Sequence, residues 1–448
     1  MPDRTSQASV ASDTVGIRQS QFREPGPTAA MPTGSVVKCK QSITMTQVLI
    51  VGAGPVGLMT ALGLARENID VCLIEAEDRI VYTPRAISYA WPIFAPLEAF
   101  GVLDDMMAAG HTVDARTWRV FKTGETIVYN HDAVRDITDR PYSLTLGQDR
   151  LAEVILKHLQ RYPNVAIHWG TRFTSLTQSD REVTVLADRQ GETVEFKADW
   201  VVAGDGGRSV VRKSVGIPLD GFTWPQRFVA TNIRFDFEKH GWNSGYLIDP
   251  IYGAVIYRID EKNLWRFTFA ENASLPIEGV LPRIMSFANA VLPGDKKFDL
   301  VLHSAYNMHQ RSARSYRAGR VLLAGDAAHL TNPTSGFGLM GGLYDSFLLS
   351  ETLAAVVKGA AADGILDQYS EERRKVFDQV TSPVSTESFR LVFNSDDEDR
   401  FASDLKRLKE RTANLDEMRK FASVPAMLET RSLMTGRTFS ESASLRRG

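Results

Sequence analysis

Apolar and polar positions along the chain fall into a series of short, recognisable patterns. Gln47–Val51 is an apolar run that ends in glycine, the pattern of a strand buried on both faces of a parallel sheet. A helix-period segment, GLMTALGLAREN, follows, and a second apolar run, IDVCLIEAE, completes a strand–helix–strand unit. TWRVFKTGETIVYN predicts a hairpin turning at Lys122-Thr123-Gly124-Glu125, and LGQDRLAEVILKHLQRY predicts an amphipathic helix. NVAIHWGTRFTSLTQ and EVTVLADRQGETVEFKADWVVAGDG alternate as strands do, and YGAVIYRI and LWRFTFAE flank DEKN as another hairpin. From Tyr344 onward the period is helical. Beyond Asp363, charged and apolar residues alternate as on solvated helix faces. No internal repeat is visible.

The first 44 residues lack such patterning. They are rich in Ser, Thr, Pro and Gly and have no apolar core of a secretory signal. Asp3, Asp13 and Glu24 count against a transit peptide, so a disordered extension is expected over 1–44, with Met45 opening the folded body. A length of 448 residues allows two or three domains. The net charge of −2 leaves no electrostatic footprint for nucleic acid or an anionic membrane surface, so neither is expected as a partner. No run reaches the roughly 18 apolar residues of a membrane span. The two cysteines, Cys39 and Cys72, make no disulfide framework, and no His/Cys cluster has metal-ligand spacing. A cytoplasmic protein without a metal is the expectation.

The chemistry begins at GAGPVG. Gly52, Gly54 and Gly57 fit G-x-G-x-x-G between a strand and a helix, and Glu75 falls near the end of the next strand. The first glycine permits the tight turn and the second the approach of a pyrophosphate. The third lets the helix pack close to the sheet, and the helix N-terminus favours the anion. A carboxylate where Glu75 stands can hold ribose hydroxyls. Two later stretches carry a further glycine-rich signal: VVAGDGGRSVVR from Val201, and RVLLAGDAAHLTNPTSGFGLMGGLYDSFLL from Arg320.

These three stretches, in this order, resemble the three-part signature of single-component FAD-dependent aromatic hydroxylases, a family of flavoprotein monooxygenases. PRAISYA, LTLGQDRLAEVI and DGFTWPQRFVATNI are most similar to its nitrophenol- and chlorophenol-hydroxylating branch. The resemblance implies an α/β fold: a Rossmann-like FAD-binding domain of the glutathione-reductase type, a β-sheet substrate domain and a helical C-terminal tail. The expected division is 45–120 with 145–225 and 307–362 around FAD, 121–144 with 226–306 around the substrate, and 363–448 as the helical region. It also implies that extended FAD runs from the first glycine turn to the late one. Asp205 belongs to the middle motif and Asp326 is expected to bond a ribityl hydroxyl. Pro333, Gly336, Gly338, Leu339 and Met340 would pass beside the flavin, while Arg85 and Gln148 match cofactor-side positions. Arg208 and Arg212 are candidates for receiving the nicotinamide.

The sequence departs from the family at three places: Ser335 replaces a glycine, Met340 an asparagine, and Asp345-Ser346 stands for Asp-Ala. Met offers only a weak acceptor where an amide side chain could bond the flavin edge, which leaves that work to the backbone. The implied reaction uses NADPH or NADH and O2 to hydroxylate a small aromatic substrate through a flavin C4a-hydroperoxide, with a homodimer as the expected assembly. A phenol reacts best as phenolate, so a polar group near its hydroxyl is expected. Tyr246 and Tyr257 are the leading candidates, with Arg266, His303 and Tyr89 behind them, whereas His329 is expected to be structural. A flavin reductase or dehydrogenase without oxygen insertion, and a non-enzymatic binding module on the same fold, remain open alternatives.

Overall fold

The computed structural model describes residues 44–439 and 441–442; of the extension expected over 1–44, residues 1–43 lie outside them and Thr44 opens the first strand. In chain order the first half comprises β1 (Thr44–Val51), α1 (Pro55–Arg66), β2 (Val71–Ile74), β3 (Ser88–Ala90), α2 (Phe94–Ala99) and α3 (Leu103–Ala109). Then come β4 (His111–Val113), β5 (Ala115–Val120), β6 (Thr126–Asn130), β7 (Ser143–Thr145), α4 (Gln148–Leu159), β8 (Val165–His168), β9 (Thr171–Gln178), β10 (Val183–Arg189) and β11 (Glu192–Ala203). The second half runs through α5 (Val210–Ser214), β12 (Leu219–Arg234), β13 (Gly245–Ile248), β14 (Ala254–Arg258), β15 (Leu264–Asn272), α6 (Val280–Val291) and β16 (Asp299–Ala313). It closes with β17 (Arg317–Ala318), β18 (Val321–Leu323), β19 (His329–Leu330), α7 (Phe337–Val357), α8 (Ile365–Val376), α9 (Ser382–Phe393), α10 (Glu398–Ala413) and α11 (Leu415–Ala422).

The apolar runs at β1, β2, β11 and β18 form the parallel centre of the first sheet, ordered β18-β11-β1-β2-β8. Val48, Leu49, Ile50, Val201, Val202 and Leu322 are fully buried there, because helices cover the sheet and leave no face for polar side chains. The antiparallel pairs β9–β10 and β10–β11 extend this sheet at one end of β11.

A second sheet is ordered β19-β16-β12-β15-β14-β13-β5-β6. The hairpin expected around Lys122–Glu125 forms its β5–β6 edge, and the one around DEKN forms β14–β15. Residues two apart share a face, so the registers Arg266 opposite Tyr257, Asn232 opposite Arg266, Tyr306 opposite Phe228, and Tyr246 opposite Val255 define one aromatic and polar face. The other face is apolar and packs on α6, where Phe287 stacks on Phe269 at 4.0 Å. A third, small sheet, β3-β7-β4, stands beside β5.

Helix α7 begins at Phe337, seven residues before the helical period becomes clear at Tyr344. Gly338, Gly341 and Gly342 therefore sit inside its first turns, not in a loop. The reason is packing: a Cβ on Gly342 would lie 2.7 Å from Val56 Cγ2 and 3.0 Å from Gly325 Cα. Helices α7 and α1 approach closely, and Ser346 Oγ donates to the Val56 carbonyl (3.0 Å). The C-terminal region is helical. Its α8 and α9 are joined by a π-turn at Phe377–Thr381, and α9 lays Phe389 and Phe393 on Phe228 and Trp224 of the second sheet. Among the described residues no helix is long and apolar enough to cross a membrane.

One ion-pair network fastens α7 to what precedes and follows it. The fully buried Asp345 accepts from His329 Nε2 (2.7 Å), Arg373 Nε (2.7 Å) and the Gly325 amide (2.9 Å). Arg373 also reaches the Gly341 carbonyl (3.0 Å), the Leu428 carbonyl (2.7 Å) and Thr430 Oγ1 (2.8 Å). Burial works to raise the Asp345 carboxyl, but the His329 and Arg373 side chains bring it down from 3.8 to about 2. A depressed carboxyl contributes stability that is complete above its unfolded value and lost as pH falls through its folded one. That window lies between 3.8 and about 2. Arg373→Met strands the buried charge. The expected outcome is a loss of about 3–5 kcal/mol in urea unfolding, with the acid-unfolding midpoint shifted upward.

Candidate functional site

The first glycine turn is shaped by contact. Gly52 has φ +105, and a Cβ there would come within 2.5 Å of the Gly204 carbonyl oxygen; one on Gly57 would come within 2.0 Å of the Gly52 oxygen. The turn thus folds back on itself and against the middle motif. Gly54 differs, since nothing lies within 4 Å of where its Cβ would stand. It faces a cleft of about 390 Å³ whose lining includes Gly52, Gly54, Glu75, Arg85, Gln148 and Asp205. The Glu75 carboxylate at the mouth accepts the Ala53 amide (2.6 Å) and the Glu77 amide (2.9 Å).

The middle motif caps the short helix α5. Asp205 Oδ2 accepts the amides of Val210 (2.8 Å) and Val211 (3.1 Å), while its Oδ1 is buried without a partner. Burial raises this carboxyl, and the hydrogen bonds from Ser209, Val211 and Val210 oppose the rise. Arg212 is buried and donates to the Ala327 carbonyl (2.9 Å), which ties the middle motif to the late one. Its Nη1 is committed to that structural bond while its Nε is buried without a partner among the described residues, whereas Arg208 lines the cleft.

In the late motif, Asp326 stands open to the space before the loop and accepts no hydrogen bond from the described residues. It is nonetheless ringed by protein. Loss of bulk water raises its carboxyl, and His329 and Arg85 oppose the rise. Arg85 thus lines the cleft at the first glycine turn and also acts on the carboxylate at the late one. The loop continues through Pro333–Ser335, and Gly336 (φ +76) turns it into α7. The first-turn amides of Gly338 and Leu339 have no carbonyl one turn earlier within the helix to bond. Met340 turns its side chain inward, 2% exposed, where its sulfur accepts the Ala90 amide at 3.4 Å. What this position offers toward the loop is therefore backbone. His329 holds Asp345 from inside the core.

The aromatic face of the second sheet closes over this loop. Tyr246 donates its hydroxyl to the Thr334 carbonyl (2.8 Å) and meets Tyr257 edge-on at 6.4 Å. Burial raises the Tyr246 phenol well above its ordinary value, so it stays protonated as a donor to the loop. Tyr257 is 3% exposed and packs beneath the Arg116 guanidinium at 5.3 Å. Arg266 donates to Asn232 Oδ1 (2.8 Å) and to the Arg85 carbonyl. Burial pushes its guanidinium down to about 10, so it remains a cation at neutral pH. Tyr89 is fully buried with its hydroxyl unpartnered among the described residues. His303 pairs with Thr231, an odd step from Tyr306, and so falls on the opposite, outward face.

Two residues that join this face were not among the sequence candidates. Tyr306 lies within electrostatic reach of Arg266, Arg85 and Asp326, and burial raises its phenol. The alternation of HSAYNM carried a signal for it, because the register that puts His303 outward puts Tyr306 inward. Arg116, on the edge hairpin, carried no signal in the sequence. Among the described residues no three His, Cys, Asp or Glu side chains gather to hold a metal ion.

Comparison with known proteins agrees with this geometry. Residues 45–383 match the family described as FAD binding domain. The chain is 38% identical over 386 residues to 6-hydroxy-3-succinoylpyridine 3-monooxygenase HspB of Pseudomonas putida (strain DSM 28022 / S16), covering 86% of this chain and 98% of that protein. It is 41% identical over 366 residues to para-nitrophenol 4-monooxygenase of Pseudomonas sp. (strain WBC-3), covering 81% and 91%. The crystal structure of p-nitrophenol 4-monooxygenase PnpA from Pseudomonas putida DLL-E4 superposes with a TM-score of 0.83 at 36% identity, covering 87% of this chain and all of that one. The chain belongs to the FAD-binding family, among the flavin-dependent aromatic monooxygenases.

Proposed function

We propose that this chain is an FAD-dependent hydroxylase of a small phenol, reduced by NADPH or NADH and acting in the cytoplasm, where those nicotinamides are supplied. The observation that carries the reading is the open space at Gly54 together with the unpaired carboxylate of Asp326, bridged by Arg85. These residues fit an extended dinucleotide. The space at Gly54 suits a pyrophosphate at the N-terminus of α1. Glu75 suits ribose hydroxyls, and Asp326 suits a polyol chain. The unpartnered Oδ1 of Asp205 supports a further hydroxyl or water contact there. The first-turn amides of α7 and the loop from Pro333 would hold the polar edge of the flavin ring, and a helix N-terminus favours the negative charge of a reduced ring.

Bound FAD supplies the redox chemistry, drawing electrons from the nicotinamide and activating dioxygen. The protein's contribution is position and exclusion of water. Tyr246 fixes the roof to the loop, and Tyr257, Tyr306 and Arg266 form an aromatic face suited to a flat substrate. For domain organisation we propose the cofactor and substrate segments expected from the sequence, with one adjustment. Strand β5 goes with the substrate set, because it pairs with β13 and β6 of the second sheet. The homodimer expected from the resemblance is also retained as part of this proposal.

Two measurements test the reading. A screen of phenols against the FAD-loaded protein is expected to find one that stimulates NADPH or NADH oxidation and yields a product heavier by one oxygen atom. Nicotinamide oxidation with no oxygen incorporated into any phenol would instead make the chain a reductase. Gly54→Val is expected to fold with a stability change within about 0.5 kcal/mol, since its side chain enters open space. The same variant is expected to lose bound FAD by absorbance. Retained FAD would refute the placement of the pyrophosphate.

A further inference from the structure

Arg116 lies on β5 with its guanidinium in the seam between the second sheet and the small β3-β7-β4 sheet. Nη2 donates to Ser143 Oγ (2.6 Å) and Ser88 Oγ (3.1 Å). Nε is buried with no acceptor, and Nη1 donates to none of the described residues. The other groups around it are Tyr129 from β6, His131 beyond that strand, Tyr246 from β13 and Tyr257 from β14. No carboxylate is among them. His131 adds no balancing charge: burial, and then Arg116 itself, push it down to about 4. The buried phenols supply none either, as burial holds Tyr129 up at about 12.

Buried arginines elsewhere show what is missing. Arg373 is neutralised by Asp345 and Arg227 by Glu271. Arg266 lacks a carboxylate too, but its Nε and Nη1 donate to Asn232 and the Arg85 carbonyl. A part-buried guanidinium whose Nε is buried without an acceptor is costly unless an anion completes it. The place is also suitable. Ser88 is 3.8 Å from where a Cβ of Gly336 would stand, and Tyr257, beneath the guanidinium, meets the Tyr246 that bonds the glycine loop.

We propose that Arg116 anchors the ionised oxygen of the aromatic substrate, so that this protein takes up the phenolate form of its phenol. The assignment rests on the hydroxylase reading. The phenolate arrives already ionised from solution, so binding moves no proton within the site. Its charge feeds electron density into the ring carbons that an electrophilic oxygen must attack. Arg116 is then a substrate-binding group, and Tyr257, whose ring centre lies 5.3 Å beneath it, positions the guanidinium.

The test is a binding titration of the FAD-loaded protein with 4-nitrophenol, whose phenol and phenolate forms absorb at different wavelengths. In the wild type the bound chromophore is expected to be phenolate. Affinity for total ligand is expected to fall as pH drops through the ligand's own pKa. Arg116→Gln is expected to weaken binding about 10- to 100-fold and flatten that pH dependence, and Arg116→Lys to restore part of both. An Arg116→Gln protein with wild-type FAD content, affinity and pH dependence overturns the assignment while leaving the hydroxylase reading intact. So does a wild type that binds the neutral phenol, a result independent of any variant. A wild-type holoprotein that binds no phenol overturns both.

Discussion

Asp345 is completely buried, and a carboxylate taken out of water costs several kcal/mol unless charge and hydrogen bonds meet it. Here the Gly325 amide, the His329 ring and the Arg373 guanidinium meet it together. Each partner comes from a different element: the turn after β18, the strand that follows, and a helix of the C-terminal region. Satisfying one charge therefore fixes the turn that carries Asp326, the start of α7 and the seat of α8 on α7. The glycines at 341 and 342 belong to the same arrangement. Gly341 faces His329, and Gly342 lets α7 come close enough to α1 for Ser346 to bond the Val56 carbonyl, so the two glycine turns are held at one separation.

That fixed separation gives the roofing sheet something to close on. Tyr246 bonds the loop carbonyl of Thr334, Arg266 bonds the carbonyl of Arg85, and Ser335 meets Ser385 of α9 at 2.6 Å. The late loop is held from the second sheet and from the C-terminal helices at once. Its own side chains contribute little toward the open side, as Met340 illustrates by burying its sulfur against Ala90. A loop so held presents backbone amides at defined positions, which is what recognition of a flat, electron-rich ring edge by amides requires. The face opposite it carries two arginines without carboxylate partners, Arg116 and Arg266, amid aromatic rings. The charge balance of this interior is left for small molecules to complete.

Much of this was legible in the chain. The strand–turn–helix at GAGPVG, the two hairpins and the helix from Gln148 follow from patterns that operate over a dozen residues, where the turn chemistry and the apolar period are both local. Glu75 was legible from its place after the first glycine turn, and Asp205 and Asp326 through the resemblance that their motifs carry. The start of α7 was not. Glycines at 338, 341 and 342 suggest a loop by propensity, and only the approach of Val56 and Gly325 from elsewhere explains why the helix carries the one at 342.

What the sequence by itself determined is the set of local units: a parallel-sheet core, two acidic motifs and a glycine-rich helix start, all specified by contacts among near neighbours. The tertiary structure alone decided which side chains share an environment. Arg116 meets Ser88, Ser143 and Tyr257, and Tyr306 meets Arg85 and Asp326, across separations from about twenty to more than two hundred positions. Sheet register sets these meetings, and a slip of one residue would turn Arg116 and Tyr306 to the opposite face. Burial does the rest. It makes an unpaired guanidinium or carboxylate costly enough to demand a partner, and burial is a property of the packed chain and not of any segment of it.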